Sequence, residues 1–477
     1  MIFNSLHFLW FFALVWGLYW LLRKSVRWQN LLLLGASYFF YGYWDWRFLG
    51  LIVISTLVDF GCGLAMERHA DDPALKKRFL WVSLVVNLGA LAFFKYFNFF
   101  MDSARVMLEE MGFDGGDWSL RIILPVGISF YTFQTLSYSI DRYRGAVPAE
   151  RNLINFAFFV SFFPQLVAGP IVRARDFLPQ ATLPRKLGWH QQAEGVQLAL
   201  WGLFKKVVVA DNLAPVVDAV FSAEGELGMV ARLLAVYAFT VQIYCDFSGY
   251  TDIARGTARM LGFTFPQNFK QPYFASDPSA FWRRWHITLS TWLRDYLYIS
   301  LGGNRKGPKR TYVNLSLTMV LGGLWHGAAW NYVLWGAYQG LLLVGHRMWC
   351  SFRPQPTESP FWVRALKWGA FFQLVCFGWL LFRAQSMADI VRFLSMDNLL
   401  SAQGLMLSEQ TAAGLILGGI GTLVVVAWDL ALVRSRGDET PLTYQRPLVQ
   451  AFVCLFLYVS ISLGGSFLGN DFIYFQF

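Results

Sequence analysis

Two histidines stand where this chain could do chemistry. His326 lies in TYVNLSLTMVLGGLWHGAAWNYVLWGAYQGLLLVGHRMW, an otherwise apolar stretch, about 16 residues past Arg310. An ionisable group at that depth faces a protein interior or a polar cavity. As a neutral imidazole, with a reference pKa of about 6.5, it could take a proton near neutrality. Gly322, Gly323, Gly327, Ala328 and Ala329 leave space around it for another helix or a ligand. The blander role is a packed histidine donating one hydrogen bond. His286 comes forty residues earlier, in PSAFWRRWHITLSTWLRDYLYISLGG. Brought together, the pair could divide the work, one as base and the other as orienter or hydrogen-bond partner of a substrate. His7, His69, His190 and His346 sit near segment ends or in loops, where bland roles are expected. No HExxH and no nearby Cys, Asp or Glu set completes a metal site, so no metal is expected. A nucleophile elbow, a phosphate-binding P-loop and a dinucleotide fingerprint are missing too.

A base that activates a hydroxyl needs a donor for the charge that then builds on the carbonyl oxygen. The His286 ring, Asn331 and a tryptophan N–H such as that of Trp325 are the candidates. Residues 251–310 hold ten Lys or Arg against three Asp. Within them Lys270, Arg283, Arg284 and Arg294 could contact the phosphates of an anionic donor. Lipid headgroups would suit the same charge, and each basic residue also has a plain topogenic reading. In 278–297 indole and aliphatic groups alternate with guanidiniums at helical spacing, which predicts an amphipathic helix in or beneath the membrane interface.

The elements that must hold these residues are membrane spans. Of 477 residues 56% are hydrophobic and 15% charged, against roughly 25% charged in an ordinary soluble protein. Apolar runs recur at 6–22, 29–44, 48–66, 79–101, 120–140, 230–250, 313–333, 334–349, 361–382, 411–433 and 447–468. A less regular stretch lies at 152–172 and a broken one at 194–217. Several are shorter than the ~20 residues a perpendicular helix needs, so some must be re-entrant. Pro164, Pro170, Lys205 and Lys206 interrupt the pattern most. The first run is stopped by Arg23 and Lys24, on the wrong side for a cleaved signal peptide, and reads as a retained span. The net charge of +10 sits between apolar runs, as the positive-inside rule places it, and not on the basic face that nucleic acid requires. Loops 23–28, 67–78, 141–151 and 251–310 are therefore expected in the cytoplasm. The N-terminus, the 102–119 loop and the acidic turn at Glu224 and Glu226 are expected outside. Five scattered cysteines form no CxxC pair and give no disulfide framework.

The run QIYCDFSGYTDIARGTARMLGFTFPQNFKQPYFASDPSAFWRRWHITLSTWLRDYLYISLGGNRKG at 242–307 resembles the membrane-bound O-acyltransferase family, and LGGLWHGAAWNYVLWGAYQG at 321–340 looks like its histidine motif. NLLLLGASYFFYGYWDWRF at 30–48, FFPQLVAGPIVR at 162–173 and FIYFQF at 472–477 fit the branch that O-acetylates alginate and other exopolysaccharides. The resemblance implies one all-α domain over 1–477, a polytopic bundle of about 11 spans with re-entrant segments around a central funnel or tunnel. It implies catalysis by His326, with His286 at a second, variable polar position. It also implies acetyl-coenzyme A as donor substrate, with no permanently bound cofactor, and residence in the bacterial inner membrane. A separate periplasmic serine-esterase-like acetyltransferase is the implied partner, relaying acetyl to polymer, since no loop of this chain is long enough to fold such a domain. Alginate, cellulose and peptidoglycan stay open as acceptors. Two rival functions are a transporter of polysaccharide or precursor, which would show inverted repeats, and a scaffold that anchors the outer acetyltransferase.

Overall fold

The structure is a computed structural model describing residues 1–113, 116, 119–167, 169–223, 228–353, 360–395, 408–434, 447–467, 472 and 473. Among these residues all regular structure is helical, with no strand. The apolar composition requires this, because a segment within lipid must satisfy its own backbone hydrogen bonds. Among the described residues six helical stretches are long and apolar enough to cross a membrane: Val26–Arg68, Pro73–Glu110, Met229–Met260, Phe361–Arg383, Glu409–Arg434 and Pro447–Gly464. Leu6–Leu21 is apolar but shorter.

Several expected spans change their limits. Val26–Arg68 is two helices, as the separate runs at 29–44 and 48–66 predict, each somewhat longer than its run, because Asp45 leaves helical geometry at φ −159° and caps the next turn through the Arg47 N–H. The span expected at 120–140 begins only at Ile128. Pro125 precedes it, and its cap, Gly127, has φ +76°. A Cβ at Gly127 would lie 2.5 Å from the Leu166 carbonyl oxygen, so a larger residue would be excluded even without the strained φ. The irregular 152–172 stretch contains two short helices, Leu153–Ser161 and Phe163–Leu166. The acidic turn at Glu224 and Glu226 lies outside the described residues.

The chain forms two compact units. The first holds residues 1–191 and 258–265, with 327–329. Its interior is built on a fully buried carboxylate, Asp59. Asp59 accepts hydrogen bonds from Ser83, from Ser139 at 2.8 Å and from Asn87 Nδ2 at 2.8 Å. These ties join Leu49–Arg68 to Pro73–Leu91 and Ile128–Tyr143. That last helix is rich in polar residues yet buried nearly all round; bonding of this kind is what makes burial of polar groups tolerable.

The second unit holds residues 192–257, 266–326 and 330–477. Glycines bring its helices almost to backbone contact. A Cβ on Gly202 would meet the Gly249 carbonyl oxygen at 2.5 Å, and one on Gly256 would meet that of Gly195 at 2.5 Å. Small residues spaced by whole turns are the usual means of close helix approach in membranes. The 194–217 region is broken by a π-helix, Phe204–Ala210, between Trp189–Leu203 and Asp211–Phe221. Its lysines do not reach water. Lys206 Nζ lies 2.8 Å from Asp211 and 2.7 Å from Asp246, and Lys205 Nζ lies 2.6 Å from Asp252. Asp246 also accepts the Ile473 N–H at 2.7 Å, seating the described end of the chain on the same ion cluster.

Candidate active site

His326 is the last residue of Gly307–His326, and Trp330–Phe352 begins four residues later. The two helices cross at glycine: a Cβ on Gly336 would lie 2.5 Å from the Met319 carbonyl oxygen, and Gly323 is pressed against Tyr332 and Gly336. The space expected at Gly323 is thus filled by the neighbouring helix, and a Cβ on Gly322 would meet the Leu293 side chain at 3.1 Å. At the other end Asn314 donates to the Gly303 carbonyl at 2.9 Å, fixing the helix to the loop before it. His326 is 4% exposed. Its ring is met edge-on by Trp325, Trp335 and Phe382, with centroids at 5.0, 5.1 and 5.5 Å.

His286 is reached by a different route. The single amphipathic helix expected over 278–297 is not formed. Pro278–Trp282 is capped by Asp277, whose carboxylate accepts the Ala280 N–H at 2.7 Å. The chain then turns, restarts at Ile287–Trp292 and widens into a π-helical turn, Leu293–Tyr298. Trp285 and Trp292 point into protein and are buried instead of anchoring in lipid. At the turn His286 adopts φ +43°, ψ +53°, left-handed geometry that a side chain seldom accepts. Two backbone hydrogen bonds hold it there. Lys270 N–H donates to Arg284 O and Ile287 N–H to Asn268 O, both at 2.9 Å.

The two histidines meet, with ring centroids 6.4 Å apart and planes inclined by 62°. Phe247 lies 4.7 Å from the His286 ring, edge to face, and Trp325 lies 6.0 Å from it. His286 has no exposed surface, and burial holds its imidazole well below the ordinary value, in the neutral form. Its Nδ1 faces Asn268 Oδ1 at 3.2 Å, while its Nε2 has no hydrogen-bond partner among the described residues. The buried indole N–H groups of Trp282, Trp335 and Trp379 also lack an acceptor there. A carbonyl oxygen gaining charge would find suitable donors in such groups. Asn331 has its amide engaged elsewhere: Nδ2 donates to the carbonyls of Phe382 at 3.3 Å and Ala384 at 3.0 Å, clamping the end of Phe361–Arg383.

Of the basic candidates, Lys270, Arg283 and Arg294 are exposed and Arg284 half-buried. Arg294 is paired with Asp295 at 2.7 Å, an exposed pair of small energetic weight. Among the described residues no cluster of three or more His, Cys, Asp or Glu could hold a metal ion. Asn268 is the site residue that sequence reasoning passed over. It is uncharged, and a search for titratable groups steps past it.

Residues 78–383 match the model of the membrane-bound O-acyltransferase family, a range that runs through both units. A probable alginate O-acetylase of Pseudomonas putida is 40% identical to this chain over the whole of both proteins. One from Azotobacter vinelandii is 45% identical, over 81% of this chain and 76% of its own. A peptidoglycan O-acetyltransferase of Helicobacter pylori is 35% identical, over 78% and 74%. With its apolar helices and paired buried histidines, the chain belongs to the membrane-bound O-acyltransferase family and is a multi-pass membrane enzyme that transfers acyl groups to oxygen.

Proposed function

We propose that this enzyme moves acetyl from cytoplasmic acetyl-coenzyme A toward hydroxyls of an extracytoplasmic polysaccharide such as alginate, in the bacterial inner membrane, with His326 as general base. The observation that carries the reading is the meeting of two buried histidines from separate elements, 6.4 Å apart. The O-acetylating activities of the alginate and peptidoglycan relatives support acetyl as the group transferred. In the reaction His326 takes the proton of an attacking hydroxyl as its oxygen bonds to the thioester carbonyl carbon. The tetrahedral oxyanion is stabilised by indole N–H donors, among which Trp325, Trp282, Trp335 and Trp379 are candidates. The C–S bond then breaks, and the imidazolium returns its proton to the departing thiolate. The receiving hydroxyl belongs to the polymer or to a periplasmic serine-esterase-like acetyltransferase that passes acetyl on. Membrane lipids supply the remaining contacts.

Purified full-length protein in lipid, given acetyl-labelled coenzyme A, is expected to release free thiol and transfer label to polymer or to the partner. Passage of polysaccharide or precursor with no thiol release would replace this reading with a transporter.

The donor side rests on charge. Arg283→Glu and Arg284→Glu should each weaken acetyl-coenzyme A binding by about tenfold, because a phosphate contact becomes a repulsion. The remaining affinity should be less sensitive to salt. Direct binding to monodisperse protein checks this, and wild-type affinity in both variants would return the two arginines to a topogenic role.

A further inference from the structure

Asn268 and His286 are both fully buried, and the geometry around them determines which histidine nitrogen carries hydrogen. Asn268 Oδ1 accepts the Thr288 backbone N–H at 3.1 Å and lies 2.9 Å from the Thr288 hydroxyl. The backbone N–H can only donate. Turning the amide over would set Nδ2 against it, donor against donor, so oxygen must occupy this position. The same oxygen is approached by His286 Nδ1 at 3.2 Å. Two bare acceptors would repel at that distance, so Nδ1 carries the hydrogen and donates it. In a neutral imidazole Nε2 is then a bare lone pair, and it is the ring atom left without a partner among the described residues.

Asn268 is itself held fast. Its carbonyl accepts the Ile287 N–H at 2.9 Å, so its main chain and side chain are both bound to the residues flanking His286. A left-handed histidine persists only where its surroundings over-determine it, and these bonds do so. The arrangement carries a cost besides: Asn268 Nδ2 has no partner among the described residues. A buried amide kept in this orientation with both N–H donors unmet among the described residues has been fixed by what its oxygen does.

We propose that Asn268 is a positioning residue that locks His286 as the Nδ1–H tautomer, so that Nε2 accepts a hydrogen bond from an acceptor hydroxyl neighbouring the one being acylated. This rests on the acyl-transfer reading above and deepens it. It takes His286 off the roster of oxyanion donors, because its single N–H is spent on Asn268. It also divides the work of the pair. His326 removes the proton of the attacking hydroxyl, while His286 holds the acceptor by a neighbouring hydroxyl and so sets the angle of attack, the type of second-atom control by which an outer partner sets what a histidine can do.

The test is spectroscopic first. Full-length protein with ring-15N histidine in lipid, without donor or acceptor, is compared with His286→Asn to assign the His286 signals. The expected result is a protonated, pyrrole-type Nδ1 and an unprotonated, pyridine-type Nε2. A wild-type ring protonated at Nε2 would overturn the proposal outright. Asn268→Leu should leave the ring sampling both tautomers and lower kcat by about 10- to 100-fold, with the KM for acetyl-coenzyme A within about twofold. Asn268→Asp keeps an acceptor at the same place, should keep Nδ1 protonated, and serves if the leucine variant fails to fold. A folded Asn268→Leu protein with unchanged tautomer and kcat, or a folded Asn268→Asp protein that loses Nδ1 protonation, would also refute the lock. The two layers fail separately: a locked ring in a protein that turns over no acetyl sinks the transfer reading, whereas an active protein with an unlocked ring sinks only this one.

Discussion

Replacing His326 with glutamine is expected to lower acetyl transfer by about 10²–10⁴-fold, the range a positioned general base supplies. Glutamine is close to the imidazole in size and can form hydrogen bonds, but it cannot take a proton near neutral pH. The packing around the site should therefore survive. Trp325, Trp335 and Phe382 would still enclose a side chain of similar bulk, and the glycine crossing with Trp330–Phe352 is untouched. The measurement is labelled acetyl transferred per purified enzyme in lipid, alongside its thermal unfolding midpoint. Alanine alone would not be decisive, since it removes the base and the bulk together. Near wild-type turnover by His326→Gln would make His326 structural, and His286, with its lone pair directed away from Asn268, would be the first alternative base.

The second large effect is on stability. Lys206 lies between Asp211 and Asp246, and all three are buried. Lys206→Met should cost about 3–5 kcal/mol, because two carboxylates then face each other with no cation between them. The thermal midpoint in detergent should fall by several degrees. Removing all three charges, with Lys206→Met, Asp211→Asn and Asp246→Asn together, should restore most of the loss, since the penalty comes from uncompensated charge and not from missing attraction. The amide introduced by Asp246→Asn would keep an oxygen for the Ile473 N–H, so the seat of the chain's end should remain. A single Lys206→Met protein that unfolds at the wild-type temperature would show that the cluster contributes nothing to the fold.

How far the sequence could be read follows the range of its interactions. His326 was legible because an imidazole deep in an apolar stretch stands out by itself, and the glycines beside it pointed to close packing. That a helix fills the space at Gly323 depends on Gly336 and Tyr332, which local sequence does not identify as partners. His286 was legible as a residue but not in its setting. Indoles alternating with guanidiniums promise one interfacial helix only if the indoles face lipid, and Trp285 instead packs on Trp379 at 4.7 Å. Lys205 and Lys206 were legible as an interruption, while the acids that neutralise them from Met229–Met260 lie a long way further along the chain. Asp59 sits within LGLIVISTLVDFGCG with nothing beside it to reveal that hydroxyls from two other helices will meet it. Each miss is a long-range pairing, where composition and periodicity have no information to give.

The left-handed backbone at His286 alters how mutational scans of this enzyme must be interpreted. Alanine keeps the Cβ that makes φ +43° unfavourable by roughly 1 kcal/mol, so it bears the same backbone strain as the histidine it replaces and removes only the ring. The alanine difference therefore reports the loss of the ring with the backbone cost cancelled. Glycine, free of that penalty, would relieve strain the wild type bears and so understate the value of the ring, and asparagine, at home in the same geometry, is the proper polar control. A saturation library would be sieved twice here, once for the shape of the main chain and once for the atoms on the ring. Valine and isoleucine would fall at the first sieve before their lack of a lone pair could be tested.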